Sequence, residues 1–248
     1  MKYSFWKISL IILTIALVIP QNVYGMHIAE GFLAQRWCLI WYAVILPFLG
    51  WGLYIIKKQT SKDNKIKILL GVAGAFTFLL SALKLPSVTG SCSHMTGTGL
   101  GAILFGPAAM SVLGIIVLLF QALLLAHGGI TTLGANTFSM GIAGPFLSWG
   151  IYHLLSGLKT NSSVAIFTAT CAGSLFTYCV TAFQLALAFP VENSSIMTSF
   201  IKFCSIFGFT QLPLSIILGL ISVMILNFIK SHNYEELLLL KVYRSNGK

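Results

Sequence analysis

Read along its length, the chain alternates long apolar runs with short polar or glycine-rich breaks. Ile8 to Ile19 is a 12-residue apolar run, ended by Pro20-Gln21-Asn22. From Trp37 to Ile56 only glycines and Pro47 interrupt a second run. Residues 57–67 are then polar, with five Lys against one Asp. Ile68 to Leu85 is apolar again, apart from Lys84, whose long stem lets its charge reach an interface. Residues 86–99 are polar and Gly-rich, too irregular for lipid-facing backbone. Gly99 to Ala126 is 28 residues, broken by Gly106-Pro107. Proline removes a helical hydrogen bond but is tolerated in a first turn, so the break predicts a short helix at 99–106 and a longer one from Pro107. Further spans are predicted near Asn136–Ser156, Val164–Phe189 and Phe203–Ile229.

Composition changes this picture little. The chain is 57% hydrophobic and 8% charged, with mean hydropathy +0.91. Soluble domains carry about 25% charged residues, so this is an all-α polytopic membrane protein. No long polar linker divides it, which predicts one membrane domain over 26–248. The net charge of +10 does not signal nucleic-acid binding. The basic residues sit between or beyond apolar runs, where they meet the anionic lipid surface.

Charge also sets orientation. The Lys-rich 57–67 loop and the tail with Lys230, Lys241, Arg244 and Lys248 both belong in the cytoplasm. An N-terminus outside and a C-terminus inside require an odd number of crossings. Counting 99–106 as one crossing gives about seven transmembrane helices. The loop beginning His127-Gly128-Gly129 is read as lying at the inner end of its helix, opposite the loop that carries His94.

The first apolar run is short for a bilayer core of about 30 Å. Lys2 and Lys7 precede it, and Val23-Tyr24-Gly25 follows. This is the pattern of a secretory signal peptide over 1–25. Cleavage after Gly25 would leave a free amine on Met26, followed by His27. The Met26 amine, the His27 backbone nitrogen and His27 Nδ1 can close fused five- and six-membered chelate rings in one plane. Binding would release protons and weaken in acid. A fourth nitrogen would complete a square plane, a geometry that suits nickel(II) or copper(II). His94, in the outward Ser91-Cys92-Ser93-His94 loop, is the candidate fourth ligand. A lone loop histidine is more often structural, so its pairing with Met-His carries the reading. Cys92 is a rival donor that would favour softer metals. Glu30 is expected to pair with Lys84 or Arg36, or to hold backbone amides of the N-terminal segment.

Other chemistry is excluded or weak. There is no G-x-x-x-x-G-K-[ST], so no P-loop nucleotide site. No H-E-x-x-H and no C-x-x-C occur among the residues, and five cysteines imply no disulfide framework. An intramembrane hydrolase would need Cys92 or Ser93 activated by His94 or His127. Adjacent residues rarely form such a pair, and His127 is placed on the other side.

Met26-His27-Ile28-Ala29-Glu30-Gly31-Phe32-Leu33 resembles the mature amino terminus of the CbiM family. So do Ser91-Cys92-Ser93-His94, Thr96 through Gly101, Leu125 through Gly129, and Gly134 through Gly141. The resemblance spans 26 to about 230, with Met95 standing where the family commonly has Pro. It implies a substrate-capturing S component of an energy-coupling factor (ECF) transporter. The implied cargo is Co2+, with Ni2+ as the near alternative, for cobalamin biosynthesis in a prokaryote. The implied metal ligands are Met26, His27 and His94. The implied partners are a CbiQ-type coupling subunit, a CbiO-type ATPase and a CbiN-type small membrane protein. The chain itself would then be no enzyme.

Overall fold

A computed structural model describes residues 27–83, 85–86, 92–190, 195–234, 237 and 240. The signal segment 1–25, its cleavage site and Met26 lie outside the described residues, as does most of the 191–195 loop.

The architecture is helical. Helix α1 spans Gln35–Thr60 and α2 spans Lys65–Ala82. A minimal antiparallel pair follows, with Leu85 opposite Ser93 and Pro86 opposite Cys92. Helix α3, Thr98–Phe105, has eight residues. Helix α4 runs Pro107–Leu125. Leu133–Asn136 (α5) continues without a break through a π-helical segment, Thr137–Ala143, into α6, Gly144–Gly157. Helices α7, Ser162–Ala188, and α8, Ile196–His232, complete the bundle. Among the described residues, five helices are long and apolar enough to cross a membrane: α1, α2, α4, α7 and α8.

The helices divide into buried and lipid-facing sides. In α1, Cys38, Trp41, Ile45 and Gly52 are buried. They recur at three-, four- and seven-residue steps, which is one helical face. Leu39, Leu46 and Leu53 of the same helix are exposed. In an aqueous protein those leucines would be a liability; in hydrocarbon they are solvated. Lys57 and Lys58 close the last turn of α1, where cations favour the helix dipole.

Helix α4 is the most buried of the five candidate spans among the described residues. A Cβ on Gly114 would lie 2.7 Å from Gly141 Cα. The two backbones therefore touch, as small residues permit between membrane helices.

The α3–α4 hairpin fixes how the chain threads. Gly106 joins the two helices at φ +89°, a conformation that costs an L-side chain and suits glycine. Gln59, at the lysine-bearing end of α1, donates from Nε2 to Phe105 O at 3.1 Å. The α3–α4 turn thus sits at the lysine pole. Helix α4 then carries the chain back to the opposite pole, where α1 begins. This corrects the expected position of the 127–136 loop: it lies at the same pole as His27 and His94. Once 99–106 counts as a leg of the chain, two legs separate the His94 and His127 loops, which puts both on one side.

Candidate metal centre

Three segments meet at the pole opposite the lysines: the N-terminal segment 27–33, the residues just before α3, and the loop after α4. Each is shaped by local chemistry. Phe32 N–H donates to Ala29 O at 3.2 Å, and Gly31 adopts φ +69°. That is a reverse turn with glycine at its left-handed position. It folds Ala29-Glu30-Gly31-Phe32 back into α1. At the end of α4, Ala126 takes a left-handed cap at φ 46°, ψ 44°. A non-glycine residue pays about 1–2 kcal/mol for this. The cap turns the chain sharply, so that His127 follows directly into the interior.

The segment 128–136, made of the loop after α4 and the short α5, grips the N-terminal segment. Ile28 N–H donates to Asn136 Oδ1 at 2.9 Å, and Asn136 Nδ2 donates back to Ile28 O at 3.0 Å. Thr132 Oγ1 donates to the same carbonyl at 2.6 Å. Asn136 thus pairs with a peptide unit as a neighbouring strand would, and both it and Thr132 are buried. The Ile28 side chain packs with Leu33, Cys38, Trp41, Ala135 and Leu185. Burying such a side chain contributes about 1.5–3 kcal/mol. Outside this, Glu30 accepts from Thr131 N–H at 3.1 Å, and Gly31 N–H donates to Thr131 Oγ1 at 3.2 Å. Glu30 therefore holds a backbone amide, but in the loop after α4 rather than in its own segment. The Arg36 guanidinium lies 5.9 Å from the centre of the Trp37 ring, while Lys84 falls outside the described residues.

Inside this clamp lie His27, His94 and His127, with relative exposures of 3%, 0% and 3%. One ring nitrogen from each lies within 4.8 Å of the others. His27 Nε2 and His94 Nε2 are 3.0 Å apart. His94 Nδ1 is 3.0 Å from Met95 O, so that nitrogen carries the proton and Nε2 presents its lone pair. This is the arrangement by which an outer carbonyl orients a histidine ligand. Tyr178 OH, on α7, donates to His94 O at 3.1 Å and fixes the loop from the other side.

The candidate residues are thus partly brought together. His27 and His94 meet; Met26 lies outside the described residues; Cys92 is seen only through its backbone pairing with Pro86. His27 turns Nε2 toward His94, whereas the planar chelate uses Nδ1, so that chelate requires the ring to turn about its Cβ–Cγ bond. His127 was missed as a site residue because its loop was assigned to the wrong pole. Parity along the chain was the signal that would have found it. Its arrival does not revive a hydrolase: both His94 nitrogens are already engaged, and His127 packs against the His27 and His94 rings at centroid distances of 4.8 and 4.9 Å.

Three buried imidazoles with their ring nitrogens this close could hold a transition-metal ion. Comparison with known proteins decides the family. Residues 27–236 match the model described as CbiM, "Cobalt uptake substrate-specific transmembrane region". The chain belongs to the CbiM family. It is 59% identical to a cobalt transport protein CbiM of Desulforamulus reducens, over 88% of this chain and 85% of that protein. It is 52% identical to the CbiM of Moorella thermoacetica, over 95% of this chain and 91% of that protein. Among solved structures, it is similar to a transition metal transporter at 28% identity. The TM-score is 0.71, covering 89% of this chain and all of that one. This CbiM-family chain is therefore a helical membrane protein of a metal-transport family, with its histidine cluster inside the matched region.

Proposed function

We propose that the chain is the substrate-capturing component of an ATP-driven ECF-type cobalt importer in a prokaryotic cell membrane. The observation that carries this is the buried His27–His94 contact at 3.0 Å, in a chain whose curated relatives are named cobalt transport proteins. In this reading the signal peptide 1–25 is removed, the mature N-terminus lies outside, and the tail lies in the cytoplasm. Co2+ is the cargo. It is held by the Met26 amine, His27 and His94, and Ni2+ is the competing ion.

The clamp makes chemical sense of such a site. A chain end is mobile, and ordering each residue costs about 1–2 kcal/mol. Asn136, Thr132 and the buried Ile28 side chain meet that cost before the ion arrives. His27 is then held where capture needs no further folding. The ion would exchange its water for buried imidazole nitrogens, one of them, on His94, oriented from behind by Met95 O. Release requires this buried site to open on the other face. ATP turnover by a CbiO-type partner, transmitted through a CbiQ-type subunit with a CbiN-type small protein, would supply that motion. The delivered ion would serve cobalamin biosynthesis.

Cobalt uptake by cells expressing the chain with its partner subunits tests the reading. Wild type should accumulate labelled cobalt, and His27→Ala and His94→Ala should not. Cys92→Ala should keep most uptake. Unchanged uptake in both histidine variants would contradict the proposal.

A further inference from the structure

The four-nitrogen plane made by Met26, His27 and His94 has no place for His127, and that plane does not by itself favour cobalt over nickel or copper. We propose that His127 is an additional donor, approaching the ion from outside that plane, and that it sets the preference for cobalt(II). This rests on the reading of His27 and His94 as metal ligands.

The argument is geometric. The ring centres of His27–His94, His27–His127 and His94–His127 are 4.8, 4.8 and 4.9 Å apart. The rings are inclined to each other by 57°, 67° and 66°. They form a nearly equilateral propeller. A metal–imidazole bond of about 2.0 Å puts each ring centre about 3.2 Å from a shared ion, so two centres 4.8 Å apart subtend about 100°. A trans pair would instead be separated by about 6.4 Å. Any three donors of a square plane include one trans pair. Three equal separations include none. The three imidazoles therefore cap one face of an ion, as in a tetrahedron, a square pyramid or an octahedron. Turning a ring about Cβ–Cγ moves its nitrogens but barely moves its centre, so the triangle is the same with His27 bound through either nitrogen.

The backbone keeps His127 in this role. The left-handed cap at Ala126 aims it inward. Gly128, at φ +78°, leaves no Cβ: one there would lie 3.4 Å from His27 Cβ and 3.2 Å from Asn136 Nδ2. The same loop thus clamps the N-terminal segment through Asn136 and supplies the capping imidazole.

Metal chemistry then separates the ions. Copper(II) and nickel(II) favour square-planar or tetragonal nitrogen sites. A strong planar nitrogen field leaves nickel(II) little affinity for a donor above the plane. Cobalt(II) readily takes four-coordinate tetrahedral or five-coordinate geometry. A capping imidazole therefore adds to the binding of cobalt and adds little to that of nickel.

The test uses the purified, processed full chain in detergent. Cobalt(II) and nickel(II) affinities are measured by competition, together with the visible absorption of bound cobalt. In His127→Ala the cobalt affinity should fall tenfold or more and the nickel affinity threefold or less. The cobalt spectrum should shift, and free imidazole, filling the vacated space, should restore it. Equal losses for both ions without imidazole rescue would show that His127 only supports the loop, and would overturn the proposal. An unchanged cobalt spectrum would overturn it too. Failure of the underlying reading looks different: wild type would bind no cobalt, or His27→Ala and His94→Ala would bind it as wild type does. Thermal unfolding of the metal-free variant checks that the fold survives.

Discussion

The two poles of the bundle are built on opposite principles. At the lysine pole most bonds are local, although Gln59 reaches across to Phe105. Ser61 Oγ donates to Lys57 O at 2.7 Å, and Lys65 N–H donates to Asp63 Oδ1 at 2.8 Å. Each partner is within four residues. At the histidine pole, the partners are 67 to 108 residues apart: Ile28 with Asn136, Gly31 with Thr131, His27 with His94. A local turn forms and reforms without disturbing the bundle. A long-range clamp ties the geometry of one segment to that of two others. Change at the lysine pole should therefore stay local, while change at the histidine pole should reach the ion.

The sharpest break in this contrast comes from the proposed ligands. His94→Ala should lower cobalt affinity by two orders of magnitude or more in an equilibrium metal titration. It removes a donor whose second nitrogen is already oriented. Next is Gly129→Ala, whose Cβ would lie 2.5 Å from Glu30 Cα. Backbone cannot yield there, so the loop must lift from the N-terminal segment. Cobalt affinity should fall at least tenfold, and the melting temperature of the metal-free protein should drop. Asn136→Ala leaves the Ile28 N–H without its partner and the Ile28 carbonyl to Thr132 alone, at about 1–3 kcal/mol. It should weaken cobalt binding by about tenfold while leaving helix content unchanged by circular dichroism. Gly114→Ala serves as the contrast within the core. Its clash with Gly141 should cost about 1–3 kcal/mol of stability, with the cobalt-to-nickel preference unchanged. Lys58→Gln, at the other pole, should alter stability by about 0.5 kcal/mol or less and leave metal affinity as it is.

The same contrast explains what was legible in the sequence. Apolar runs and lysine positions are local signals. They give the helices to within about four residues, including the break at Gly106 and the short α3 before it, except that α8 begins at Ile196, well before the expected Phe203. Met-His behind a signal-like segment, with a loop histidine downstream, marked His27 and His94. What the sequence withheld is long-range. Nothing near Asn136 says that its amide will pair with Ile28, and no local pattern announces the π-helical segment 137–143 that follows it. His127 was misplaced by one error of parity, since its side of the membrane depends on every leg before it. Glu30 was expected to serve an amide, but its amide belongs to Thr131, which only the folded loop brings near.

The central claim is that three buried histidines and a freed amine make one cobalt site. The most direct test is the native mass of the processed protein taken from its membrane, with and without added cobalt(II). The account predicts a chain that begins at Met26 and carries one cobalt ion, lost in both His27→Ala and His94→Ala. A chain that still begins at Met1, or a cobalt ion retained in the absence of both histidines, would contradict it.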